Sequence, residues 1–127
     1  MGRIWLLWGC LLCFLFVALG AFGAHGLKNL LEPEKMAILH TANQYLGFHG
    51  FALLALGLWN HWEKWSATLW AGLCFLVGAL LFSGSLYIYV LLELKTAAMI
   101  TPIGGSLFLV GWLLFGFSVI RTKSNII

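Results

Sequence analysis

The sequence predicts an all-α integral membrane protein: a four-transmembrane-helix bundle with short loops and an interfacial helical extension before the second span. Three observations carry that reading. Of 127 residues, 62% are hydrophobic and 9% are charged, whereas a soluble domain carries roughly 25% charged residues. All seven Lys/Arg and all four Asp/Glu fall at the ends of apolar runs. Each run also reaches the ~20 residues that cross a bilayer at ~1.5 Å of rise per residue. In lipid an unsatisfied backbone excludes non-helical crossings. Residues 1–127 are therefore read as a single transmembrane domain, with spans at about 4–24, 40–60, 65–92 and 97–120.

The first run, Ile4–Ala24, follows Arg3 and ends in GAFGAHGL (20–27). Gly20 and Ala24 place small residues four apart, which permits close helix approach where lipid supplies little hydrophobic drive. Gly23 and Gly26 are expected to loosen the helix as His25 reaches the interface. Arg3, the apolar stretch and then Ala21 and Gly23 also resemble a secretory signal. Removing that segment would leave three spans, so it is expected to be retained.

The connection contains EPEK (32–35). Pro33 suits the first turn of a helix, with Glu32 and Glu34 near its positive end. A helix is expected to start there and run through His40 into the second span, its early polar residues His40, Thr41, Asn43 and Gln44 lying at the interface. Gly50 and Gly57 give this span a packing stripe. The third run carries Ala71, Gly78 and Ser85, with Ala79 and Ser83 at small-x-x-x-small spacing. The fourth repeats small residues every seven positions at Ala97, Gly104, Gly111 and Ser118. Sequence-adjacent stripes predict that these two helices pair tightly. Pro102 frees the carbonyl of Ala98, so TPIGG (101–105) reads either as a kink or first-turn break or, the favoured reading, as an ordinary proline in the opening turn of the fourth helix.

Four spans put both termini on one side with Arg3, Lys64, Arg121 and Lys123, and leave Lys28, Lys35 and Lys95 on the other. The positive-inside rule then favours cytoplasmic termini, in a bacterial cytoplasmic membrane. Trp5, Trp8, Trp59, Trp62, Trp65, Trp70 and Trp112 map towards the terminal side as an aromatic belt, and Tyr45, Tyr87 and Tyr89 towards the opposite half. Counting ~1.5 Å per residue, Ser83, Ser85 and Thr101 lie roughly 27–30 Å from the terminal side, and His25 about 32 Å. His49 lies about 16 Å in, near mid-membrane. The candidate polar site is His25, Tyr45, His49, Ser83, Ser85, Tyr87 and Thr101, either an interhelical hydrogen-bond network or a binding site.

His49 is the sharpest member, because an ionisable group at that depth is expensive and faces protein or water. His40 lies nine residues away, on the opposite helix face, so the two cannot chelate one metal. No metal site and no cofactor are expected. Cys10 and Cys13 form C-x-x-C inside an apolar run, and with Cys74 they read as small buried apolar residues. A net charge of +3, without a basic tail or a phosphate loop, gives no sign of nucleic-acid binding.

Four stretches, GAFGAHGL (20–27), TANQYLGFHGFALLALGL (41–58), LFSGSLY (81–87) and TPIGGSLFLVGWL (101–113), together resemble a family of small four-span membrane proteins. It is grouped as domain of unknown function 423 and is related to transmembrane protein 256. The resemblance implies an integral membrane protein, bacterial or organellar, with no established reaction. Its pattern includes the positions of His25, Tyr45, His49, Ser83, Ser85, Thr101 and Pro102. Gly47 departs from it, since relatives often carry a bulkier residue such as methionine there, and this bears on packing around His49.

Three functions compete. The first is a non-enzymatic structural, accessory or assembly component that associates with other membrane subunits or with itself. The second is a small-solute or proton-linked transporter using the outer polar layer. None of Glu32, Glu34, Glu63 or Glu93 lies inside a span, so His49 would be its titratable group. The third is a membrane enzyme or cofactor binder using His25, His40 and His49, for which no HExxH, C-x-x-C-H or carboxylate pair speaks.

Overall fold

The computed structural model describes residues 1–64 and 66–122. Within them the chain is helical, with no strand: α1 (Gly2–Gly26), α2 (Pro33–Trp59), α3 (Ser66–Leu92) and α4 (Thr101–Arg121), plus a 3-10 turn at Lys95–Met99. Trp65 and Lys123, placed above in the aromatic belt and among the terminal-side charges, lie outside the described residues.

By length and composition, three stretches suffice to cross a membrane: α1, α3 and Lys95–Arg121. α2 matches α3 in length, at 27 residues, but is less apolar because His40, Thr41, Asn43 and Gln44 crowd its first half and His49 follows just past its middle. Packing explains how such a helix is accommodated. α2 and α3 form the centre and supply most of the buried residues, while α1 flanks α2 and α4 flanks α3. Asn43 and His49 are thereby taken inside.

Pro33 occupies the first turn of α2, preceded by extended Glu32 and followed by Glu34. The helix then runs unbroken through His40 to Trp59. At the same end, Lys35 Nζ lies 2.6 Å from Glu93 Oε1, just past the end of α3. Their hydrogen bond raises the Lys35 pKa and lowers that of Glu93. Glu93 sits at φ 55, the left-handed position that ends many helices and favours glycine.

Pro102 lies in the first turn of α4. Its missing amide and its ring, which crowds the carbonyl four residues back, keep an α-helix from running through Ala98. The chain there tightens into the 3-10 turn, so the α-helix itself begins at Thr101, while the apolar stretch long enough to cross runs from Lys95 to Arg121 and takes in the turn. α1 does need a correction: it stays helical through Gly23 to Gly26, so these glycines do not loosen it.

Two antiparallel seams hold the helices. Along α1 and α2, a Cβ on Gly2 would lie 2.6 Å from the Gly57 carbonyl, one on Gly9 2.9 Å from the Gly50 carbonyl, and one on Gly23 3.1 Å from Leu39. Gly2, Gly9 and Gly23 fall on the seven-residue register of a coiled-coil seam, and so do Gly50 and Gly57. Gly20 also faces α2, where a Cβ would lie 2.9 Å from Asn43 Nδ2. Ala24 is exposed and does not pack: a step of three from Gly20 stays on the facing stripe, and here the step of four leaves it. Along α3 and α4, a Cβ on Gly104 would strike the backbone nitrogen of Phe82, one on Gly78 the Phe108 ring at 2.7 Å, and one on Gly111 the Phe75 ring at 2.8 Å. Ala71 is fully buried beside Phe75 in the same core. Trp5, only 3% exposed, lays its indole against Gly72. It belongs to the core rather than to an interfacial belt.

Candidate functional site

Among the described residues, Asn60 Nδ2 donates to Thr68 Oγ1 at 2.7 Å where α2 ends beside α3. The interior polar groups around the candidate residues form three further sets, each spanning helices. Asn43, buried on α2, donates from Nδ2 to the Phe16 carbonyl of α1 at 3.0 Å. Its Oδ1 accepts from the Tyr87 hydroxyl of α3 at 3.0 Å. One amide thus ties three helices together. Beside it, the fully buried Ser83 hydroxyl donates to the Ala42 carbonyl at 2.6 Å.

The second set joins α3 to α4. The Ser85 hydroxyl donates to the Phe82 carbonyl at 2.9 Å and lies 2.6 Å from Thr101 Oγ1. A hydroxyl carries one proton, so Thr101 is the donor to Ser85 Oγ. The first turn of α4 is fixed in this way at the level of Pro102.

The third set surrounds His49. Its Nδ1 is 2.8 Å from the Tyr45 carbonyl, and its Nε2 is 3.1 Å from Trp112 Nε1. An indole N–H only donates. Nε2 must therefore be the bare acceptor, and Nδ1 carries the proton donated to Tyr45. Both ring nitrogens are engaged in the neutral imidazole. The ring stacks on Phe108 with centroids 3.4 Å apart and planes 5° from parallel, and Phe75 and Trp112 close two further sides at 5.6 and 6.0 Å. A groove of about 540 Å³ opens beside it, lined by Tyr45, Phe48, Phe51, Ala52, Ala55 and Trp112.

The candidate residues therefore do not form one site. Tyr45 lends His49 its carbonyl and is 39% exposed, its ring 4.6 Å from Phe82. Ser83 and Tyr87 belong to the Asn43 set, Ser85 and Thr101 to the α4 junction. His25 is exposed and hydrogen-bonds to no described residue, so it joins none of the three. Among the described residues, no three His, Cys, Asp or Glu side chains converge on a point that could hold a metal ion.

Sequence reading missed two members. Asn43 was grouped with the interfacial polar residues, yet it stands seven positions before Gly50 and fourteen before Gly57, on the stripe facing α1. Trp112 was assigned to the terminal-side belt. Counted from Ile120 at ~1.5 Å per residue, it lies roughly 12 Å in, close to the level of His49. The same depth arithmetic that singled out His49 also finds its partner.

Residues 19–105 match the family model described as protein of unknown function (DUF423). Similar proteins include a UPF0382 membrane protein of Staphylococcus saprophyticus, 39% identical over 112 residues, covering 88% of this chain and 92% of the relative. A UPF0382 membrane protein of Haemophilus influenzae is 41% identical over 115 residues, 87% and 89% of the two chains. The UPF0382 inner membrane protein YgdD of Escherichia coli is 39% identical over 127 residues, 96% and 93%. No solved structure matches.

Proposed function

The chain belongs to the DUF423 family and is an integral membrane protein, and from that premise we propose that it is a non-enzymatic structural or accessory component of a membrane complex. In this reading all four helices span the bacterial inner membrane, with the termini on the cytoplasmic side. α2 crosses because its neighbours shield Asn43 and His49. The naming of an Escherichia coli relative as an inner membrane protein and the excess of Lys/Arg at the terminal end support the placement.

One observation carries the accessory role. Gln44 is exposed on α2 and hydrogen-bonds to no described residue. With α2 crossing from Asn60, it stands roughly 24 Å along the helix, which in this reading puts it within a hydrocarbon core about 30 Å thick rather than at the interface expected from sequence. An unpaired amide there is costly, and interhelical hydrogen bonding is the usual remedy. A neighbouring membrane subunit, or a second copy, supplies that partner. Native mass spectrometry after gentle extraction from the membrane tests this: a complex is expected, and an isolated monomer throughout contradicts it.

The groove beside His49 favours a second reading, proton-linked transport. That function requires His49 to exchange a proton, which means breaking the bond from Trp112. Proteoliposomes report it directly: His49→Ala should abolish proton flux if the reading holds, and unchanged flux removes it.

A further inference from the structure

At the end of the molecule opposite the Lys35–Glu93 pair, a hollow of about 690 Å³ lies between the start of α1 and the end of α2. Its lining mixes basic and apolar groups: Arg3, His61 and Lys64 with Leu6 and Leu58. The mutual contact of Gly2 and Gly57 brings the two backbones together there.

Neither cation has a carboxylate partner among the described residues. The acid of this turn, Glu63, accepts from the Thr122 hydroxyl at 2.6 Å and does not line the hollow. Trp62, on the rim, is 51% exposed, the kind of ring that settles at headgroup level.

We infer that this hollow binds an anionic phospholipid, its phosphate held by Arg3 and Lys64 and the start of an acyl chain lying along Leu6 and Leu58. Two cations without an ion-pair partner among the described residues, beside apolar side chains, fit an amphipathic anion better than inorganic phosphate, which would leave Leu6 and Leu58 in water. Cytoplasmic leaflets are rich in anionic lipid, and basic pockets between membrane helices on that side suit such headgroups. The inference rests on the reading that this end lies at the membrane surface, which flotation of the full chain with liposomes checks separately.

The test uses the purified full chain in detergent with phosphatidylglycerol, phosphatidylcholine or inorganic phosphate added, and bound molecules counted by native mass spectrometry. Phosphatidylglycerol should be retained over phosphatidylcholine. That preference should fall about fivefold for each cation removed in Arg3→Gln and Lys64→Gln, and should survive Lys28→Gln with Lys95→Gln at the opposite end. Equal retention of the two lipids overturns the proposal, as does a preference that survives loss of both cations. Displacement of phosphatidylglycerol by millimolar inorganic phosphate overturns it too, and assigns the hollow to free phosphate.

Discussion

Trp112 Nε1 lies 3.1 Å from His49 Nε2, and this contact sets which ring nitrogen holds the proton. It also spans the gap between α2 and α4. Without the indole, Nε2 is a buried acceptor with nothing to accept. Trp112→Phe keeps the aromatic contact with Phe75 (4.9 Å between centroids) but removes the donor. A loss of about 1 kcal/mol is expected, read as an earlier midpoint in denaturing-detergent titration. An unchanged midpoint would show that the contact contributes nothing.

Asn43 should matter more than Tyr87. Tyr87→Phe breaks one interhelical bond, worth about 0.6 kcal/mol on average in a membrane protein. Asn43→Ala breaks that bond and also the one to Phe16, and so should cost about twice as much. Equal losses for the two variants would contradict Asn43 as the shared centre.

The seams predict a sharp contrast among glycines. Gly104→Ala drives a methyl into the Phe82 backbone, which cannot swing aside, and should cost about 1–3 kcal/mol. Gly84 and Gly116 have nothing within 4 Å of a new Cβ. Gly84→Ala and Gly116→Ala should be neutral or gain up to about 1 kcal/mol of helix propensity. Thermal unfolding of the three variants side by side decides it.

The Lys35–Glu93 pair has a defined pH window. Glu93 is lowered below the ordinary carboxylate value, so its contribution is present above about pH 4.3 and lost as pH falls through the lowered folded value. Lys35 is raised, so its contribution is present below about pH 10.4 and lost as pH climbs through the raised one. Both groups are exposed to water, and the effect on global stability should be small. Glu93→Gln should speed amide exchange in the turn after α3 at pH 7 without moving the unfolding midpoint. A large shift in that midpoint would contradict a peripheral role.

The all-helical class and the family were legible because the charges sit only at the ends of long apolar runs and four short motifs fall in order. The seven-residue spacing of Gly104 and Gly111 is visible in the sequence; that Gly104 meets the backbone of Phe82, not a yielding side chain, is not. Asn43 was hidden because a polar residue near a helix start reads as interfacial. Only its register with Gly50 and Gly57 turns it inward. Trp112 was hidden because tryptophan is so often a headgroup anchor, and here its N–H finds a partner at depth. His25 failed in the reverse sense: its position at the edge of the polar layer carries no contact with it.

The most direct test is the protonation of the His49 ring in lipid bilayers at neutral pH, read by nitrogen-15 magnetic resonance on histidine-labelled protein with His25, His40 and His61 substituted. A closed interior network, as opposed to a proton-exchange site, requires a neutral imidazole with its proton on Nδ1 and Nε2 bare, and a shift at Nε2 when Trp112 becomes Phe. A proton on Nε2, or on both nitrogens, contradicts it.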